Sequence, residues 1–243
     1  MPAAHAPREN GLLAALPRED YERLLPRLQL VALPRGSVLH RAGELESHLY
    51  FLAAGLVSRV FVTPDGASAE FAITGREGVI GMASFLGGGR TPSQAGVLRA
   101  GYGYRLAGDL LKDEFERDRP LARLLLRYTQ ALMAQAGQIA ACNRHHSLEQ
   151  QLCRWILSYL DRVESDELAM TQDLIARLLG VHRQGVTHAA GKLKRAGLIR
   201  YSRGRIAVLD RARLEARVCE CYAVVKREYD RLLPEPGRRA VAC

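Results

Sequence analysis

The sequence predicts an α+β chain, and three observations carry that prediction. Residues 29–106 alternate short apolar runs with turn-forming Gly, Pro and Asp, the texture of a β-barrel or sandwich. From Pro120 to about His145 the pattern is helical, with proline only at the start, where a helix accepts it. Residues 170–209 then read as helix, tight turn, helix and hairpin.

The elements follow in order. Residues 1–10 read as a loose tail, and Leu12, Leu13, Leu16, Tyr21, Leu24 and Leu25 give residues 11–28 a helical pattern. Strand-like runs follow at Leu30-Val31-Ala32-Leu33, Ser37-Val38-Leu39, Leu49-Tyr50-Phe51-Leu52, residues 56–62, residues 69–73 and Val97-Leu98-Arg99-Ala100. Pro34-Arg35-Gly36, Ala42-Gly43, Ala54-Gly55, Pro64-Asp65-Gly66 and Thr74-Gly75 separate them as turn signals. On the long helix Leu125, Leu132 and Ile139 recur every seven residues, with Thr129 and Ala136 between them. That spacing predicts a self-association seam, the competing reading being a helix packed on its own β domain. Ser147 is placed to cap a further helix over 148–161, and residues 163–167 are a polar loop. Asp210 opens a last predicted helix to about Leu233, which Pro234-Glu235-Pro236-Gly237 ends.

Within 170–209, Leu174, Ile175, Leu178 and Leu179 form one helical stripe, and Val186, Ala189, Ala190 and Leu193 a second. Gly180 between them can take the positive φ of a tight turn, and Thr171 can cap the first helix. Two short runs, 198–201 and 206–209, flank Ser202-Arg203-Gly204-Arg205 as a hairpin. This is the pattern of a winged helix-turn-helix, which lays its second helix in the major groove of DNA. Charge agrees: residues 171–205 hold eight Lys and Arg against Asp173 alone, and the whole chain is +9 with a pI of about 9.6. Such a field attracts phosphate without reading sequence.

Composition excludes several classes. No window approaches the roughly 20 apolar residues of a membrane span. The first ten residues lack the apolar core of a secretory signal, so a cytoplasmic protein is expected. The five cysteines are Cys142, Cys153, Cys219, Cys221 and Cys243. Cys219-Glu220-Cys221 is the one close pair, and a predicted continuous helix would point its two thiols to opposite sides. Free thiols and no metal site are therefore expected. The pair His145-His146 reads as a partner of the helix dipole. A cupin-like enzyme would need clustered inward His and Glu; His40 and His48 do not supply them, and no nucleophile–base pair stands out.

The order β-roll, long helix, winged helix-turn-helix resembles the Crp/Fnr family of bacterial transcription regulators. The likeness covers roughly residues 12–233. It is best in Tyr50-Phe51-Leu52-Ala53-Ala54-Gly55, in Glu77-Gly78-Val79-Ile80-Gly81-Met82 and in residues 171–196. It implies a cyclic-nucleotide-binding-type β-roll over residues 1–118, a dimerisation helix over 119–146 and a DNA-binding domain over 147–243. It also implies that the first two turns of the recognition helix read bases, here Arg183, Gln184, Thr187 and His188. Spacing supports this, because 184, 187 and 188 share one helical face and 183 borders it. Thr171, Gln172, Lys192, Lys194 and Arg203 are expected on phosphates.

The departures narrow the ligand. Where nucleotide-binding members of the family hold the ribose with Glu, this chain has Met82. The phosphate-neutralising Arg falls on Gln94, or on Pro92 if Gly87-Gly88-Gly89 is not an insertion, and the adenine contacts fall near Ala136 and Gly137. A buried phosphate without a cation is costly, so cyclic AMP bound in the usual way is not expected. Gly81, Met82, Arg90 and Gln94 are the candidate effector pocket, with Arg99 nearby, and the effector is unidentified. No cysteine precedes Cys142, which excludes the family's N-terminal iron–sulfur cluster. Pro2 matches one feature of a haem-sensing member, but residues 49–141 contain neither His nor Cys. The expected function is a homodimeric regulator on a two-fold symmetric site in double-stranded DNA, with RNA polymerase as a further partner if it activates. The alternative is a ligand or redox sensor whose roll acts on a protein partner.

Overall fold

A computed structural model of the chain describes residues 6–117 and 119–233; Pro2, His5, Pro234-Glu235-Pro236-Gly237 and Cys243 lie outside them. The chain forms two compact units. One takes the residues up to Arg59, Thr74–Met133 and those from Arg227 onward; the other takes Val60–Ile73 and Ala134–Lys226.

In the first unit, helix α1 (Gly11–Ala14) is opened by Asn10, whose buried side chain accepts from the amides of Leu12 and Leu13. The same side chain donates to the carbonyls of Leu52 and Gly78, both at 2.9 Å, so the tail is fastened to the roll. Helix α2 (Arg18–Leu24) leads into strands β1 (Gln29–Leu33), β2 (Val38–His40) and β3 (His48–Val62). Strands β4 (Ser68–Thr74), β5 (Val79–Ile80) and β6 (Ser93–Ala107) complete a mixed-length sheet ordered β1-β6-β3-β4, with β2 on β6 and β5 on β3. Register is antiparallel, from Gln29 opposite Arg105 to Leu33 opposite Gly101. Leu33, Leu52, Val57, Ile80, Ala95 and Val97 form one interior cluster of the roll.

The Ala54-Gly55 turn signal marks no turn. β3 runs unbroken through it for 15 residues, and Gly55 sits at φ +92°. A Cβ there would stand 2.8 Å from the Arg99 carbonyl oxygen, so glycine serves close strand approach rather than chain reversal. The run at 97–100 is likewise the middle of the 15-residue β6.

Helix α3 (Leu110–Glu116) precedes the long helix α4 (Pro120–His145), which has the predicted start and end. The residues of the predicted seam are covered by the chain itself. Leu125, Leu132 and Ile139 are 0%, 7% and 5% exposed, so they fill the chain's own core, with Thr129 and Ala136 half-buried beside them. The large apolar side chains of α4 left in solvent are Leu126 at 52% and Met133 at 70%, one residue along and again seven apart. A strict heptad shows that a helix has an apolar face, not which neighbour covers it.

The second unit continues with α5 (Leu148–Leu160), opened by a reciprocal capping box between Ser147 and Gln150. Strand β7 (Glu167–Ala169), helices α6 (Gln172–Leu179) and α7 (Arg183–Arg195), and strands β8 (Ile199–Ser202) and β9 (Arg205–Val208) follow. The predicted last helix is two, α8 (Arg211–Glu215) and α9 (Cys221–Leu232), with a turn between them. The β3–β4 hairpin tip belongs to this unit: Glu70 accepts from the indole of fully buried Trp155 at 2.9 Å, and Ser68 donates to the Arg177 carbonyl at 3.1 Å. Among the described residues no helix is long and apolar enough to cross a membrane.

Candidate nucleic-acid interface

The interface is built on α6 and α7. Thr171 caps α6 by accepting from the Leu174 amide at 3.2 Å, and Gly180 ends it at φ +68°. Val186, Ala189, Ala190 and Leu193 turn the apolar face of α7 inward. Gly185 lies where a Cβ would come within 2.7 Å of Leu148 Cδ2, so its missing side chain lets α7 settle on α5. That packing fixes the other face outward: Arg183, Gln184, Thr187 and His188 are all exposed. Thr187 donates to Gln172 Oε1 at 2.6 Å and to the Arg183 carbonyl at 3.0 Å, which ties the two helices together on that face.

Strands β7, β9 and β8 form a three-stranded wing in that order. Ser202 pairs with Arg205 across a two-residue tip of Arg203 (φ +48°) and Gly204 (φ +73°). Both central residues at positive φ is the hairpin turn that suits strand twist, and arginine accepts it here at an exposed tip. Tyr201 fixes the wing to the approach of α6 by donating to the Met170 carbonyl at 3.2 Å. Between the wing and the start of α6 opens a cleft of about 310 Å³ lined by Thr171, Gln172, Arg183, Tyr201, Ser202, Arg203 and Gly204. Four residues chosen for DNA contact from sequence thus border one concavity, at the N-terminus of a helix, where backbone amides favour anions.

Part of the basic charge is spent within the unit. Arg177 pairs with Asp173 at 2.8 Å, Arg200 and Arg205 reach Glu167 at 3.8 and 3.9 Å, and Lys192 reaches Glu149 at 3.9 Å. Among the described residues Arg183, Lys194, Arg195 and Arg203 make no ion pair, so the cations open to a partner lie on α7 and the wing tip.

The candidate effector residues are less coherent. Gly81 and Met82 are buried inside the roll, and Gln94 is half-buried. Arg90 is exposed and donates to the Gly43 carbonyl at 2.7 Å, so its guanidinium is engaged at the surface. The group missed by sequence reasoning is Arg59. It is 5% exposed, donates to Met82 Sδ at 3.2 Å and to the Val79 carbonyl, and leaves its Nε without a partner. Its position in the apolar run of 56–62 was the available signal. A separate open cleft of about 710 Å³ between the 84–89 loop and α3 includes none of the four predicted residues.

The thiols also depart from expectation. Because the last helix is broken, Cys219 lies in the turn before α9 and Cys221 is its first residue. They therefore converge instead of pointing apart, and meet Cys142 and His146 from the end of α4.

Residues 30–118 match the model of the cyclic nucleotide-binding domain, and residues 150–217 match that of the Crp-like helix-turn-helix domain. A CRP-like cAMP-activated global transcriptional regulator of Mycobacterium tuberculosis is 26% identical over 215 residues, covering 85% of this chain and 96% of its own. Among solved structures, a crp/fnr-family protein of Eubacterium rectale superposes with a TM-score of 0.70 at 16% identity, over 86% of this chain and 98% of its own. FixK2 of Bradyrhizobium japonicum gives 0.66 at 17% identity, over 79% and 98%. The roll, the long helix and the winged helix-turn-helix share one order with these relatives, and the chain belongs to the Crp/Fnr family as a DNA-binding transcription regulator.

Proposed function

We propose that the chain acts as a homodimer on a two-fold symmetric site in double-stranded DNA, reading bases with Arg183, Gln184, Thr187 and His188. The observation that carries this is their common exposure on the first two turns of α7, beside a cleft bordered by Thr171, Gln172 and Arg203. Arginine can pair bidentately with guanine and glutamine with adenine in the major groove. Thr171, Gln172, Lys192, Lys194 and Arg203 hold phosphates and set register. Lys192 must give up Glu149 to do so, a weak surface pair. Dimerisation uses the exposed Leu126 and Met133 face of α4. The protein binds rather than catalyses, and it works where its DNA is, in the cytoplasm.

The roll takes an effector other than cyclic AMP in its usual pose, or none. The Mycobacterium relative is named for activation by cAMP. Here Met82 stands where the family's ribose-binding Glu would be, and Arg59 already occupies its sulfur. A cation inside the roll favours a ligand carrying negative charge.

The test is selection of genomic DNA fragments by the purified protein, without added ligand, at moderate salt. Recovery of a two-fold symmetric motif is expected. Weak, salt-sensitive binding with no motif would sink effector-independent recognition and favour a roll that signals through a protein partner.

A further inference from the structure

We infer that Cys142, His146, Cys219 and Cys221 form a tetrahedral site for a zinc-class divalent cation. Cys142 lies in the last turn of α4 and His146 just beyond its end, where the His146 amide still donates to the Cys142 carbonyl at 3.0 Å, so the two share one helical face. The turn between α8 and α9 brings Cys219 and Cys221 to that face. All four donor atoms lie within 4.8 Å of one another. Cys142 Sγ and Cys219 Sγ are 3.5 Å apart, and Cys221 Sγ is 3.5 Å from His146 Nδ1. A tetrahedron with metal–sulfur bonds of about 2.3 Å and a metal–nitrogen bond of about 2.0 Å has edges of roughly 3.5–3.8 Å. Two edges are therefore already at coordination length, and the others close with small rotamer adjustments.

The surroundings match a metal centre rather than a chance meeting of thiols. His146 Nε2 faces Glu220 Oε1 at 3.2 Å, which orients the ring so that Nδ1 is the donor. Gln138 Nε2 donates to Cys221 Sγ at 3.1 Å, and Arg154 Nε donates to Cys142 Sγ at 3.2 Å. Arg154 is 4% exposed and makes no ion pair among the described residues. A buried guanidinium beside a neutral thiol is expensive. Three thiolates around a dication carry one net negative charge, which is the counter-charge Arg154 lacks. Three soft thiolates with one imidazole select zinc among common divalent ions, and four protein ligands leave no open position, so the site is structural. It ties the end of α4 to the turn entering α9, with Arg154 of α5 bracing it.

Sequence reading missed the site because the C-x3-H pair and the C-x-C pair are more than seventy residues apart. The inference stands on this cluster alone and does not depend on how the protein reads DNA.

The experiment uses the full chain, purified under reductant without chelator, with metal content measured by elemental mass spectrometry. One zinc per chain is expected, released on titration with a mercurial thiol reagent. Exchange for Co2+ should give the intense visible bands and the near-ultraviolet thiolate charge-transfer band of a tetrahedral site. Cys219→Ser and His146→Ala should lose the metal, while Cys153→Ser, outside the cluster, should keep it. Glu220→Gln should bind zinc roughly 10–100-fold more weakly, as for other groups that orient a metal-bound histidine. If the ligand variants fail to fold, the Co2+ spectrum of the unaltered chain decides. A folded, reduced chain that carries no zinc and shows no tetrahedral Co2+ spectrum overturns the proposal. So does a Cys142–Cys219 disulfide, found by mass in native protein that holds no metal.

Discussion

Arg183 and Arg203 border the same cleft but are placed for different work. Arg183 is the first residue of α7, where a side chain can reach base edges; Arg203 is at the wing tip, where a duplex offers its backbone. Arg183→Ala should therefore relax preference at one base position, at about 1–3 kcal/mol for the preferred base. Selection of randomised half-sites measures this, and an unchanged motif would remove Arg183 from base reading. At position 203 charge must be separated from backbone strain, since φ +48° is uncomfortable for most side chains. Asparagine tolerates that conformation. Arg203→Asn should keep the hairpin and the thermal midpoint while weakening all DNA sequences alike, with the salt slope smaller by about 1 per site. Parallel binding isotherms in rising salt check it; a loss confined to one sequence would show that the wing reads bases.

Elements were more legible in the sequence than their neighbours were. The winged helix-turn-helix could be read almost to the residue because Gly180, the Thr171 cap and the two stripes are local signals with local causes. Gly55 misled, since a glycine beside small residues signals a turn as readily as a close strand approach; only the Arg99 carbonyl of β6, 2.8 Å from where a Cβ would stand, distinguishes them. Gly55→Ala should thus cost about 3 kcal/mol or more, from positive φ and a backbone clash together. Urea unfolding measures it, and a change under 1 kcal/mol would show that the strand can give way around a Cβ at this position. The α4 heptad misled for a related reason: periodicity reports a buried face without naming what buries it. Leu132→Glu should unfold the chain, whereas Leu126→Glu with Met133→Glu should leave it folded and monomeric, because those two are the exposed pair. Light scattering with circular dichroism separates the outcomes, and a folded dimer of the double variant would place the interface elsewhere. Arg59 is marked in the sequence only as a charge within the apolar run of 56–62, and its partner Met82, like the members of the thiol cluster, is brought near only by folding.

For the whole molecule, the net charge of +9 sets how binding responds to salt, but only charges that meet phosphate contribute. Arg177, Arg200 and Arg205 are engaged by Asp173 and Glu167, so the raw count overstates the effective charge. On the proposed reading the phosphate-facing cations of each protomer are Lys194 and Arg203, which make no ion pair among the described residues, and Lys192 once it leaves Glu149 at 3.9 Å. A protomer acting alone should show a slope of log K against log salt of about −3, and a dimer with both half-sites filled about −5, at roughly 0.9 per neutralised phosphate. Between about 50 and 200 mM salt the dimer should lose roughly a thousandfold in affinity. Fluorescence anisotropy on a symmetric site gives this slope directly. Repeating it on a single half-site should return the shallower value if two protomers share the work. A slope near −3 on both would mean that one DNA-binding unit engages at a time, and that the exposed face of α4 does not bring a second to the same duplex.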